Sequence, residues 1–173
     1  MDTKHDEQAN APIYNKVNFF ILVKGGASEF IEFVEQVFDA HENKKNRIPD
    51  KDGTLIHAEI QVGDSMILVA DSKNDWVFTP AFPQVYVDDA AAVLKKATDN
   101  GAEIITEISP FYGGLNISRF KDRWQNIWWL FEKSKTPAPQ KADDSTTDWH
   151  NKKPSYIYTT LMDAMKNLKE KGK

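Results

Sequence analysis

The chain has 173 residues, 22 Lys and Arg against 26 Asp and Glu, a formal net charge of −4, four His and no Cys. A chain of this size is long enough for one domain with its own core, burying roughly 70% of the surface its unfolded form exposes. The missing Cys excludes a disulfide framework, a Cys-ligated zinc, a redox CxxC pair and a thiol nucleophile. The mild acidity and the lack of a basic stripe argue against nucleic acid as a partner.

Residues 1–13 read as a flexible N-terminus without the apolar core of a signal peptide. No run approaches the ~20 apolar residues of a membrane span, so a cytoplasmic location with no membrane partner is expected. Val17–Lys24 is nearly all apolar and reads as a strand, closed by Gly25-Gly26. Ser28 is placed to cap a helix whose inner face carries Phe30, Phe33, Val34, Val37 and Phe38. A polar stretch, Ala40–Gly53, holds at most a weak edge strand. Leu55–Val62 then alternates, with Ile56, Ala58, Ile60 and Val62 on one side and Leu55, His57, Glu59 and Gln61 on the other. Gly63-Asp64 predicts a tight hairpin turn into the return strand Ser65–Ala70.

The same order follows a second time. Phe82–Asp88 predicts a strand, and Asp88 or Asp89 caps a helix running to Asn100, with Val93, Leu94 and Ala97 inward and Gly101 just past its end. Glu103–Ile108, Leu115–Phe120 and Ile127–Lys133 complete three strands. The fold class is therefore α+β: module one over 14–75 and module two over 80–135, each βαβββ, each with one sheet face under a helix and the other concave. Two concave faces enclose a cleft of the kind in which ligands bind. Residues 136–154 are polar and proline-rich and read as a linker. Residues 155–171 predict an amphipathic C-terminal helix, Ser155 capping it, Gly172 stopping it, and Ile157, Leu161, Met165 and Leu168 along one face. A helix so short needs a surface to dock on: the domain, a second subunit or another protein.

Three strings in this order carry a resemblance. LIHAEIQVGDSMILVAD (Leu55–Asp71), VYVDDAAAVLKKATDNGAE (Val85–Glu103) and DRWQNIWWLFE (Asp122–Glu132) resemble the glyoxalase/bleomycin-resistance/dioxygenase (vicinal oxygen chelate) superfamily in its PhnB-like branch, over about Tyr14–Lys133. The resemblance implies the two-module fold and, through the pairing seen in many relatives, a homodimer. It does not fix the function, since the family holds metal-dependent isomerases and lyases, dioxygenases, thiol transferases and metal-free drug-sequestering proteins. Its metal-using members place His, Gln or Glu at positions that here fall on Asn18, Phe82, Trp129 and Met66 or Ile67. A catalytic metal needs about three protein ligands, so no metal or other cofactor is expected.

The concave faces are expected to carry Phe20, Leu22, Phe82, Gln84, Tyr86, Trp129 and Phe131, with Phe111 and Tyr112 on a rim loop. Such a lining holds a flat apolar molecule, with Asn18 and Gln84 orienting its polar atoms. His57 and Glu59 share a strand face and are the candidate catalytic pair, alternatively a hydrogen-bonded pair of the sheet or a dimer seam. Arg119, Lys121, Arg123 and Glu132 read as solvated charges, and His5, His41 and His150 lie in polar segments. The leading function is metal-free binding of a small apolar or aromatic molecule. The alternatives are a metal-dependent glyoxalase-like lyase or dioxygenase using His57 and Glu59, and an interaction module working through the C-terminal helix.

Overall fold

A computed structural model describes residues 14–135 and 154–168. The N-terminus expected to be flexible, nearly all of the expected linker and the expected helix stop at Gly172 lie outside the described residues. The chain divides into two compact units, Met1–Thr79 and Pro80–Lys173.

In the first unit β1 (Phe19–Val23) leads through Gly25-Gly26 into α1 (Ala27–Phe38), the short strands β2 (His41–Glu42) and β3 (Ile48–Pro49), and the hairpin β4 (Leu55–Val62) and β5 (Ser65–Asp71). The sheet order is β1-β5-β4-β2, with β3 also on β4 and β1 parallel to β5. The apolar stripe of α1 covers one face: Phe30, Val34 and Val37 are fully buried over Ile21, Ala58, Ile60 and Val69, and Ile31 joins them. β1 is shorter than expected because Asn15 and Asn18 bond each other in a turn that spends the first residues of the run. Two short strands stand where one weak edge strand was expected, separated by the turn Lys44–Asn46.

Ser28 does not cap α1. The cap position is Gly26, at φ 87°, a left-handed conformation that costs a glycine little. A side chain from across the sheet replaces the missing cap: Asp71, at the end of β5, accepts from the Ala27 N–H at 3.0 Å and the Leu55 N–H at 2.7 Å. The buried carboxylate satisfies a first-turn donor and suits the positive end of the helix dipole.

The second unit repeats the plan with β6 (Gln84–Val87), α2 (Ala90–Asp99), β7 (Glu103–Pro110), β8 (Leu115–Lys121) and β9 (Ile127–Lys133), in the order β6-β9-β8-β7. Asp89 caps α2, accepting from the Ala92 N–H at 2.9 Å. Leu94 and Ala97 are buried, while Val93, expected inward, is only half-buried. Beneath α2 lie Phe120, Trp128 and Leu130, all fully buried. Glu132 is no solvated charge: it is 7% exposed and accepts from the Ala90 N–H and from Asn116 Nδ2, each at 3.2 Å. Val23 pairs with Asp71 in β1/β5, and Val87 with Glu132 in β6/β9. The last-strand carboxylate that anchors each helix is thus a repeated device.

The turn between β8 and β9 is organised by Asp122. It accepts from the backbone of Trp124 and Asn126, from Asn126 Nδ2 and from the Trp128 indole N–H, all at 2.9 Å. Burial pushes its carboxyl up, against those bonds.

The C-terminal helix α3 (Tyr156–Lys166) has Ser155 as its N-cap, as expected, and packs on β7 of its own unit. The docked side keeps Ile157, Leu161 and Leu168 of the expected stripe but not Met165. Ala164 is buried and Ile157, Thr160 and Leu161 half-buried, whereas Met165 is 42% exposed. The helix is seated by polar bonds as well as apolar contact, and those bonds select the Thr160 side: Thr160 and Thr106 hydroxyls lie 2.8 Å apart, and the Tyr156 hydroxyl accepts from the Glu107 N–H at 3.1 Å. Among the described residues no helix is long and apolar enough to cross a membrane.

Candidate ligand-binding site

The uncovered face of the first unit is polar at its middle. Glu59 on β4 is 3% exposed, and both its oxygens are fully engaged. Oε1 accepts from the Tyr14 hydroxyl at 2.6 Å and lies 3.1 Å from His57 Nε2, while Oε2 accepts from Asn43 Nδ2 at 3.0 Å and Asn46 Nδ2 at 2.9 Å. Burial raises the Glu59 pKa, but the donated bonds outweigh it and hold the carboxyl below its ordinary value. The Tyr14 hydroxyl is shifted up by its bond to Glu59 and by burial. His57 and Glu59 are therefore together, as expected from their alternation, inside a network that ties residue 14 and the Asn43–Asn46 turn to the sheet. Phe20 lies on the same face and is 55% exposed. Asn18 is committed locally: its Oδ1 accepts from the Asn15 N–H at 3.2 Å and its Nδ2 donates to the Asn15 carbonyl at 2.8 Å. A smaller cavity of about 280 Å³ beside α1 is lined by Glu42 and Arg47, but that guanidinium already bonds Glu42 at 2.8 Å and Ser28 at 2.6 Å.

The uncovered face of the second unit is aromatic and is walled by α3. A cavity of about 620 Å³ opens between β8, β9, the loop from Pro110 to Gly113 and the first turns of α3. That volume lies in the range of small-molecule sites. Phe111, Tyr112 and Trp129, all expected at a ligand site, line it with Ile157, Tyr158 and Leu161. Phe111 packs on Tyr112 at 4.4 Å and on Phe131 at 5.8 Å between ring centroids, which holds the loop against the sheet. Phe82, Gln84 and Tyr86 are exposed on or beside β6 and do not line this cavity, although Tyr86 stacks on Phe131 at 5.3 Å.

Arg119, expected to be solvated, is 2% exposed and lines the cavity. Its guanidinium lies 3.6 Å from the centre of the Trp129 ring. Nη1 donates to Thr106 Oγ1 at 3.2 Å and to the Ile157 carbonyl at 2.9 Å. Two irregularities in the β7/β8 register flank Thr106 and set it opposite Arg119. Arg119 Nε and Trp129 Nε1 are buried without a hydrogen-bond partner. Burial lowers the Arg119 pKa to about 10, which leaves it cationic at neutral pH. Of the other expected surface charges, Lys121 is half-buried and pairs with Glu103 at 2.8 Å, and Arg123 is exposed, its guanidinium 4.8 Å from the Trp124 ring centre. The sequence reading missed Arg119 and the α3 wall.

Each unit runs strand, helix, then a set of strands, three in the second and four in the first, where two short ones stand at the edge position, and each sheet has one face left free of its helix; this is the βαβββ module met twice. The chain belongs to the glyoxalase/bleomycin resistance protein/dioxygenase superfamily, whose family profile matches residues 16–130. Among solved structures it is similar to TioX from Micromonospora sp. ML1, at 18% identity and a TM-score of 0.54 over 68% of this chain and 98% of that one. It is also similar to a PhnB protein from Bacillus cereus (18% identity, TM-score 0.54, 67% of this chain and 98% of that one). The fosfomycin resistance protein FosX from Listeria monocytogenes aligns at 14% identity and a TM-score of 0.52, over 75% and 97%. These likenesses show the fold. A search of curated protein sequences gives no match.

The resemblance implies a divalent metal in many relatives, and the side chains at those positions do not fit one. Phe82, Trp129 and Met66 or Ile67 offer no oxygen or basic nitrogen donor, and both polar atoms of Asn18 are spent on Asn15. Among the described residues no three His, Asp or Glu side chains gather in a way that would hold a metal ion.

Proposed function

We propose that the protein binds a small apolar or aromatic molecule without a metal, in the cavity between the second sheet and α3. The observation that carries this reading is the cavity itself: about 620 Å³, lined by Phe111, Tyr112, Trp129, Ile157 and Leu161. Rings in such a lining stack on a flat ligand and bury its surface, at roughly 25 cal/mol per Å² of apolar area removed from water. The arrangement supports binding more than chemistry, because the candidate base, His57, faces a carboxylate already holding three other donors.

The test is quenching of intrinsic Trp fluorescence by a planar hydrophobic probe such as 2-naphthylmethanol. Saturable quenching that is weakened in Leu161→Trp, which fills the cavity, is the expected result. No saturable response up to the probe's solubility limit would overturn the reading. The lyase or dioxygenase alternative rests on the His57–Glu59 pair and requires a bound metal. Elemental analysis of protein purified without chelator, with a full equivalent of a divalent ion, would favour it.

A further inference from the structure

The described residues bury four carboxylates and one guanidinium. Each carboxylate meets hydrogen-bond donors: Glu59 and Asp122 four each, Asp71 and Glu132 two each. Arg119 meets only neutral dipoles, a threonine hydroxyl and a carbonyl, and no carboxylate among the described residues pairs with it. A buried charge is costly unless it is paired, and a guanidinium cannot shed its proton to escape that cost. Its Nε–H has no acceptor, and neither has the indole N–H of Trp129, the ring on which it is stacked. Two unanswered donors and one uncompensated positive charge therefore belong to a single stacked pair at the wall of an apolar cavity.

We propose that the cavity takes an organic carboxylate, its head accepting from Arg119 and the Trp129 indole and its apolar body lying along Phe111, Ile157 and Leu161. The inference rests on the binding reading above and adds the charge and polarity of the ligand. A carboxylate has two acceptor oxygens and one negative charge, which answers both donors and the cation together. Charge-assisted bonds of this kind are roughly twice as strong as neutral ones. Against the buried Arg119 they are also screened by salt less than surface pairs are.

The experiment is calorimetric titration of the full chain with two probes of one shape, 2-naphthoate and 2-naphthylmethanol. The carboxylate is expected to bind at least about tenfold more tightly than the alcohol. In Arg119→Gln, which keeps an N–H for the Ile157 carbonyl but loses the charge, that preference is expected to fall to within about twofold. In Trp129→Phe, which keeps the ring and loses the donor, the carboxylate is expected to weaken several-fold and the alcohol hardly at all. This second variant stands even if Arg119→Gln does not fold. Equal affinity for both probes would overturn the carboxylate while leaving the apolar cavity standing. A preference retained in both variants would also overturn it, since Arg119 would then only be seating α3. Binding of neither probe would overturn both readings.

Discussion

The two units differ most where their register is the same. In the first sheet Phe20 pairs with Leu68, and Leu68 with Glu59. In the second, counting from the helix-anchoring carboxylate in the same way, Gln84 pairs with Trp129, and Trp129 with Arg119. Glu59 and Arg119 thus hold one position of the repeat, on the sheet face away from the helix. Around Glu59 the chain has closed the account with Tyr14, His57, Asn43 and Asn46. Around Arg119 it has left a cavity, a stacked ring and two donors without acceptors. The lesson is that a buried charge alone does not mark a site. A charge with its donors satisfied is a fastening, and one without them is an invitation to a ligand.

The comparison breaks first at Glu59. Glu59→Ala would strand four donors and is expected to cost about 3 kcal/mol in urea unfolding followed by circular dichroism. A loss below about 1 kcal/mol would show that the network is not a fastening. The same group makes a pH signature. Its folded pKa lies below the ordinary 4.5, so its contribution is fully present above that value and is lost as pH falls through the lower folded value. Wild-type stability should therefore drop between about pH 5 and pH 3 with a slope that Glu59→Gln flattens. Thr160→Val removes the hydroxyl bonded to Thr106 and is expected to cost about 1 kcal/mol through the seating of α3. The smallest effect is expected at Arg119 itself. Arg119→Gln removes a charge that has no carboxylate partner among the described residues, so stability is expected to move by less than about 1 kcal/mol while the preference for a carboxylate over the alcohol is lost.

The strands and helices were legible because burial of one face imposes a period. Ala58 and Ile60 alternate with His57 and Glu59, and Phe30, Val34 and Val37 recur at helical spacing, so the βαβββ order followed from pattern alone. That Phe111, Tyr112 and Trp129 line the cavity was legible for the same reason, each being a large ring on a loop or strand face with nothing local to bury it. Arg119 was not legible. Its burial depends on α3 arriving from beyond residue 153 and on two register shifts in β7, neither of which leaves a mark in the run LNISRFK. Glu132 and Asp71 were hidden in another way: each anchors a helix start distant in sequence, and only the closed sheet brings them together. The outward turn of Met165 has the same origin, since the threonine pair between α3 and β7 chooses the docked face.

The most direct test of the account compares two neighbouring indoles. Trp128 donates its N–H to Asp122 at 2.9 Å beneath α2, whereas the N–H of Trp129 has no acceptor in the cavity wall. In a proton–nitrogen correlation spectrum with assigned indole signals, titration with 2-naphthoate is expected to move the Trp129 N–H downfield, as a new charge-assisted bond requires, and to leave that of Trp128 in place. A spectrum in which the probe binds and Trp129 stays still would contradict the assignment of the ligand site to Arg119 and Trp129.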